Sequence, residues 1–307
     1  MVRLFGVGRS SIASSLLMSC AFLALAATVN ASNTAKQQLA TLSDKDFRQV
    51  EGLARHGDAA AAAMMGVAYE EGLRVQKDMS QAVKWYRLAA AQGNVEVQHR
   101  LAVLYEQGKD VTQDLAEAAR WYARAAALGY APSQCNLGNL YRDGRGVPRD
   151  LEQAAKWYEV AARQGDAQAQ SNAGYMYNHG EGVIHDDGQA VYWYRKAAEQ
   201  GFAVAQRNLG IMYMLGQGVE ANEIEAMKWF SNAATGGATR ALVNQAILYM
   251  QGAQIPRDYA AAQKLLSQAL ASGVEEAAPL LKRCQEYQAR GQGMVPAAAT
   301  TAQANPH

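Results

Sequence analysis

Residues 136–165 read NLGNLYRDGRGVPRDLEQAAKWYEVAARQG, and this stretch decides the fold. Gly144 and Gly146 divide it, because glycine takes at little cost the positive-φ conformations that stop a helix. After them Asp150 stands where a second helix needs a cap, with Gln153 three residues on. Ala154, Trp157, Tyr158, Ala161 and Ala162 then recur at i, i+3, i+4, i+7 and i+8, one face of an amphipathic helix. The stretch reads as helix, turn, helix, closed by Gly165.

The pattern repeats every 36 residues. That step relates Trp85, Trp121, Trp157, Trp193 and Trp229, then Tyr69, Tyr105, Tyr141, Tyr177, Tyr213 and Tyr249, and the glycines from Gly57 to Gly273. Six units follow: 57–92, 93–128, 129–164, 165–200, 201–236 and 237–272. Asp78, Asp114, Asp150, Asp186, Asn222 and Asp258 take the cap position, and Gln81, Glu117, Gln153, Gln189 and Glu225 follow three residues later, a series that only Ala261 breaks. The expectation is a reciprocal capping box in which each side chain accepts from a free backbone N–H, the cap alone worth ~1 kcal/mol. In the first helix Gly66, Ala102, Gly138, Gly174, Gly210 and Ala246 share one site. Small residues there predict a close approach filled by a large aromatic of the adjacent helix, offsetting a glycine cost of about 0.5–1 kcal/mol. One unit cannot bury its own stripe, so the fold expected is all-α, an α/α solenoid whose stacked helix-turn-helix units share a core that includes the five tryptophans.

These residues resemble the Sel1-like repeat family, a branch of the tetratricopeptide-like helical solenoids. The match runs through all six units in the pattern Asn136-Leu137-Gly138, Tyr141, Gly144-Arg145-Gly146-Val147-Pro148-Arg149-Asp150, Ala154, Trp157-Tyr158, Ala161-Ala162 and Gly165. The resemblance, to an exported bacterial member, implies antiparallel helix pairs in a right-handed superhelix, with a concave face used as an interaction scaffold. It implies no single reaction.

The flanks depart from the period. Arg3 and Arg9 precede an apolar run, Leu16 to Val29, and Val29-Asn30-Ala31 offers the small residues of a cleavage site, so 1–31 reads as a signal peptide. The run is shorter than the about 20 residues of a membrane span, so no integral span is expected in the mature chain. Cys20 lies inside the run, against lipidation. The expected location is the periplasm, with secretion as the alternative. Residues 32–56 read as a linker and capping helix, with Val50, Leu53 and Ala54 facing the first full unit. Residues 273–289 read as a closing helix with a charged outer face, following a sixth unit with Leu265-Leu266 in place of Trp plus an aromatic. Residues 290–307, rich in Gly, Ala and Thr, read as a disordered tail.

Composition narrows the function. The 307 residues carry 29 Lys+Arg against 28 Asp+Glu, which leaves no electrostatic footprint for nucleic acid. Three cysteines and five histidines are too few for a disulfide framework or a dedicated metal cluster. No Ser-x-x-Lys, Gly-x-Ser-x-Gly, His-Glu-x-x-His, Cys-x-x-Cys or Gly-x-x-x-x-Gly-Lys motif occurs. His179 and His185 flank a turn with Asp186 and Asp187, a set that could hold zinc, but Asp186 is needed as a cap, so solvated loop residues are the reading taken. Cys135 and Cys284 read as two free thiols, whereas some Sel1-like proteins carry a cysteine pair in every repeat. No catalytic residue, metal or cofactor is expected.

The binding candidates lie on first helices, which line the concave side in tetratricopeptide-like solenoids. Arg100, Asn136, Asn172, Asn208 and Asn244 form a ladder 36 residues apart. Amides in a row suit an extended peptide backbone, and equally suit polar groups between helices. Tyr175 and His179 occupy positions that vary amid the fixed scaffold, and His99 and Arg207 share one further polar site. The function expected is an exported scaffold for a protein or peptide partner. The alternatives are a cell-wall or β-lactam binding or hydrolysing protein, and a periplasmic regulator of a membrane sensor or polymer-export system.

Overall fold

The computed structural model describes residues 31–290. The segments read as signal peptide and disordered tail lie outside the described residues, apart from Ala31 and Arg290. Among the described residues there are fifteen helices and no strand. They fall into two compact units, one ending at Tyr130 and the other starting at Ala131. The first holds α1 (Ala31–Thr41), α2 (Asp44–Arg55), α3 (Ala59–Glu71), α4 (Met79–Ala91), α5 (Val95–Gln107) and α6 (Leu115–Ala127). The second holds α7 (Ala131–Asp143), α8 (Leu151–Arg163), α9 (Ala167–His179), α10 (Asp187–Glu199), α11 (Ala203–Leu215), α12 (Glu223–Thr235), α13 (Arg240–Gln251), α14 (Tyr259–Ala271) and α15 (Ala277–Arg290). From α3 on within the first unit, and throughout the second, each helix packs on the one before it and the one after it in the chain.

The repeat helices are 12 or 13 residues long, marginal for an isolated helix in water, so capping and packing must hold them. Every second-helix cap works: Asp78, Asp114, Asp150, Asp186, Asn222 and Asp258 each accept from the backbone N–H three residues on. The return half of the expected capping box is not made. The N–H of each cap residue instead donates, at 2.9–3.0 Å, to the carbonyl of Tyr69, Tyr105, Tyr141, Tyr177, Tyr213 or Tyr249. The recurring tyrosine is thus the point where the second helix is tied to the first, and Glu117 and Glu225 are free to pair with Arg120 and Lys228. At the turn, Gly180 and Gly182 have φ of 64° and 69°. A Cβ on Gly182 would collide with the Leu151 carbonyl and one on Gly218 with the Asp187 carbonyl, because these two turns rest on the start of the preceding repeat's second helix.

The small-residue site does what its period predicts. A Cβ on Gly138, Gly174 or Gly210 would come within 2.6–2.7 Å of the ring of Tyr158, Tyr194 or Phe230. The filler is the residue after each tryptophan: Tyr86, Tyr122, Tyr158, Tyr194 and Phe230 are among the largest fully buried side chains. Trp121 and Trp193 are buried, whereas Trp85, Trp157 and Trp229 keep an exposed edge. At the front, α2 buries Phe47, Val50 and Ala54. Leu53, expected on that face, is 44% exposed, because it lies one residue off the i, i+3, i+7 stripe. At the far end α15 buries Cys284 against α14, where its thiol approaches the Tyr259 carbonyl.

Tyr158→Ala should therefore cost about 3–5 kcal/mol, and Trp157→Ala less, as aromatic truncations scale with the cavity they leave. Urea unfolding of the two variants side by side measures the order.

Candidate partner-binding site

The candidate residues fall on first helices, and the structure sorts them by what their polar atoms already hold. In the first unit Arg100 is committed to Glu70, which also accepts the Tyr86 hydroxyl at 2.6 Å. His99, on the same helix, lies between the rings of Tyr122 and Tyr130, with centroids 5.5 and 5.2 Å away. Burial first, and the Arg100 charge second, push its imidazole down to about 4.

In the second unit the asparagines divide. Asn208 and Asn244 are 2% and 4% exposed, so neither amide presents itself to a peptide. Their position explains why. Asn208 lies beside the Tyr194 hydroxyl, fourteen residues earlier. Asn172, also fourteen residues after a core tyrosine, donates at 3.3 Å to Asn139 Oδ1, which takes the Tyr158 hydroxyl at 2.8 Å. In these repeats the ladder lies beside the core tyrosines, joined to Tyr158 only through Asn139, while the Tyr194 hydroxyl and Asn208 Oδ1 are both buried without a hydrogen-bond partner. Phe230 has no hydroxyl, and Asn244 instead accepts from Arg207 Nε at 3.1 Å. Asn136 is partly exposed and hydrogen-bonded or otherwise engaged.

What remains facing outward is a small aromatic and charged group. Tyr175 and His179, one turn apart on α9, stack with centroids 4.0 Å apart and planes 24° from parallel. The Tyr175 hydroxyl donates to Glu181 at 3.5 Å, and burial raises its pKa, with Glu181 adding to the shift. On α7, Arg142 holds Asp143 through two bonds of 2.7 and 3.1 Å. His185 pairs with Asp187 at 3.3 Å, and His179 Nδ1 lies 3.0 Å from the Tyr175 carbonyl. The two histidines of that turn are therefore engaged separately. Among the described residues no group of three or more His, Cys, Asp or Glu side chains could hold a metal ion. The thiols of Cys135 and Cys284 are both raised by burial, which disfavours the nucleophilic thiolate.

One recurring group escaped the reading of the sequence. Gln98, Gln134, Gln170 and Gln206, again 36 residues apart, are buried. Gln98, Gln170 and Gln206 donate at 2.9–3.1 Å to the carbonyls of Ala90, Ala162 and Ala198, near the end of the preceding second helix. Each so adds a second hydrogen bond to a carbonyl at a helix end that also accepts from the N–H of Gly93, Gly165 or Gly201. A second glutamine then completes the pair: Gln164 donates to Gln134 Oε1 at 2.6 Å and Gln200 to Gln170 Oε1 at 2.8 Å. Where Leu128 and Gly236 replace that second glutamine, the Oε1 atoms of Gln98 and Gln206 are buried without a partner. Their shared period was the signal.

Comparison with known proteins follows from this geometry. Residues 59–94, 95–130, 131–166, 167–202, 203–237 and 240–274 each match the model of the Sel1 repeat. The crystal structure of a protective antigen present in uropathogenic Escherichia coli strains, displaying an SLR fold, is similar with 35% identity and a TM-score of 0.72. The alignment covers 81% of this chain and 53% of the antigen, so this chain spans about half the antigen's length. A Sel1 repeat protein from Oxalobacter formigenes is similar with 28% identity and a TM-score of 0.62, over 79% of this chain and 97% of that one. No curated protein matches.

Two outcomes are expected. Leu128 is 60% exposed, and Leu128→Gln should pair the orphan Gln98 oxygen and stabilise the protein by about 0.5–1.5 kcal/mol, read by thermal or urea unfolding. The His99 imidazole should titrate near 4 in proton NMR. Because the unfolded chain then binds the proton first, stability falls as pH drops from about 6.5 to about 4, by up to ~1.4 kcal/mol per pH unit, and His99→Gln should flatten that slope.

Proposed function

We propose a function from one premise: the chain belongs to the Sel1 repeat family. It is a scaffold without a reaction of its own, and holds a protein or peptide partner on the outward face of the first helices of its second unit. One observation carries the reading. The side chains that recur every 36 residues are spent on caps, inter-helix notches and inter-repeat hydrogen bonds, while Arg142, Tyr175, His179 and Glu181, which do not recur, gather on that face. A fixed frame with a variable, aromatic and charged surface suits recognition, since aromatic and arginine side chains dominate binding energy at interfaces. The raised, buried thiols give no support to a nucleophilic mechanism.

The amino-terminal Arg3 and Arg9, the apolar run and Ala31 support export to the periplasm. Among the described residues no helix is long and apolar enough to cross a membrane.

Crosslinking of the tagged full-length protein in its native cells, with fractionation and mass spectrometry, tests both statements. The expected result is a stoichiometric protein partner from the periplasmic fraction, reduced at least tenfold by a folded Tyr175→Ala/His179→Ala variant. Unchanged recovery with that variant would remove this face from the proposal, recovery of a glycan alone would overturn the protein-partner reading, and a cytoplasmic product would overturn export.

A further inference from the structure

The second unit has a cleft of about 680 Å³ between the first turns of α11 and the turns that precede α13 and α15. Its wall includes Ala203, Arg207, Gly236, Arg240 and Glu276. A glutamine stands at the position of Gly236 in three earlier repeats, as Gln92, Gln164 and Gln200, and the last two cover Gln134 and Gln170. Gly236 has no side chain to enter that space, and Gln206, 7% exposed, keeps an unpartnered Oε1, the counterpart of the atom that takes the Gln200 amide at Gln170. The cleft is therefore a missing side chain with an unmet acceptor behind it.

The charge beside it is only partly met, by Glu276, which is itself paired with Arg240. Arg207 is half-buried and makes one hydrogen bond, from Nε to Asn244, the amide that Phe230 leaves without a hydroxyl. Among the described residues its guanidinium makes no ion pair, although Arg240, which pairs with Glu276 at 3.1 Å, lines the same cleft. Burial, then the nearby Arg240 charge, lowers the pKa of Arg207. A cation held at that electrostatic cost is stabilised by an incoming anion. The helix ends add to this: Asp58, Asn94 and Asp166 cap first helices with a side chain, whereas Phe202 and Thr239, before α11 and α13, make no such bond. Glu275 and Glu276 also line the cleft, so a carboxylate is accepted only on its Arg207 side.

Resting on the scaffold reading, we propose that this cleft receives an acidic side chain of the partner peptide, its carboxylate on the Arg207 guanidinium. One residue carries the charge and a glycine makes the room.

The test uses the full chain and two fluorescein-labelled hexapeptides, hexaglutamate and hexaglutamine, in anisotropy titrations at low and moderate salt. Hexaglutamate should bind and hexaglutamine should not. Arg207→Gln should weaken binding at least tenfold, with the melting temperature showing whether the fold is kept. Gly236→Gln should also abolish binding while leaving the melting temperature equal or higher, since it pairs Gln206 and fills the space. Its Cβ would meet the Ala203 Cβ at 3.0 Å, and alanine stands at the equivalent positions, Ala167 and Ala131, in the repeats that carry Gln200 and Gln164. Arg120→Gln, an exposed site in the first unit, should bind like the parent. Equal binding of the two peptides, no binding of hexaglutamate, or unchanged affinity in both cleft variants overturns the proposal. A crosslinked partner that depends on Tyr175 and His179, with no hexaglutamate binding, removes the cleft and keeps the scaffold; hexaglutamate binding that depends on Arg207, with no crosslinked partner, does the reverse.

Discussion

The contact on which the rest depends is the seating of an aromatic ring from each second helix in a notch on the first, at Gly174 and Tyr194 for example. Short helices have little stability of their own, and only a close approach of their axes buries enough apolar surface to hold them. Glycine on one side and a flat ring on the other give that approach without leaving a void. The cap bond to the tyrosine carbonyl then sets where along the pair the second helix begins.

Seating a tyrosine in such a notch creates a further requirement, because its hydroxyl is buried with it and needs a partner. Neighbouring first helices supply one in three of four cases, Glu70 for Tyr86, Glu106 for Tyr122 and Asn139 for Tyr158, while the buried Tyr194 hydroxyl has none. Buried glutamines join the repeats, by adding a hydrogen bond to carbonyls at the ends of second helices. Departures from the repeat are consequently informative. Phe230 and Gly236 each remove one polar group from this scheme, and Asn244 and Gln206 are the groups they release, on either side of Arg207.

Function in such a frame resides in what the repeat does not use. The recurrent side chains are inward or engaged, and the surface left over, around Tyr175 and His179 in one place and Arg207 in another, departs from the 36-residue period. The buried thiols of Cys135 and Cys284, with raised pKa values, are poor nucleophiles. Binding is what a rigid, repeated frame with local exceptions does best.

The sequence by itself determined the period, the helix-turn-helix unit, the caps and the notch, because each depends on residues within one turn or one repeat of one another. Only the tertiary structure decided which member of the Trp-Tyr pair fills the notch, where the capping N–H donates, and that Asn208 and Asn244 face inward. The reason is physical: a polar side chain's role is set by the partner it meets in space, and here those partners lie eight to thirty-seven residues away on a neighbouring helix. Spacing alone could show that the asparagines and glutamines recur, but not whether solvent or a buried hydroxyl lay beside them.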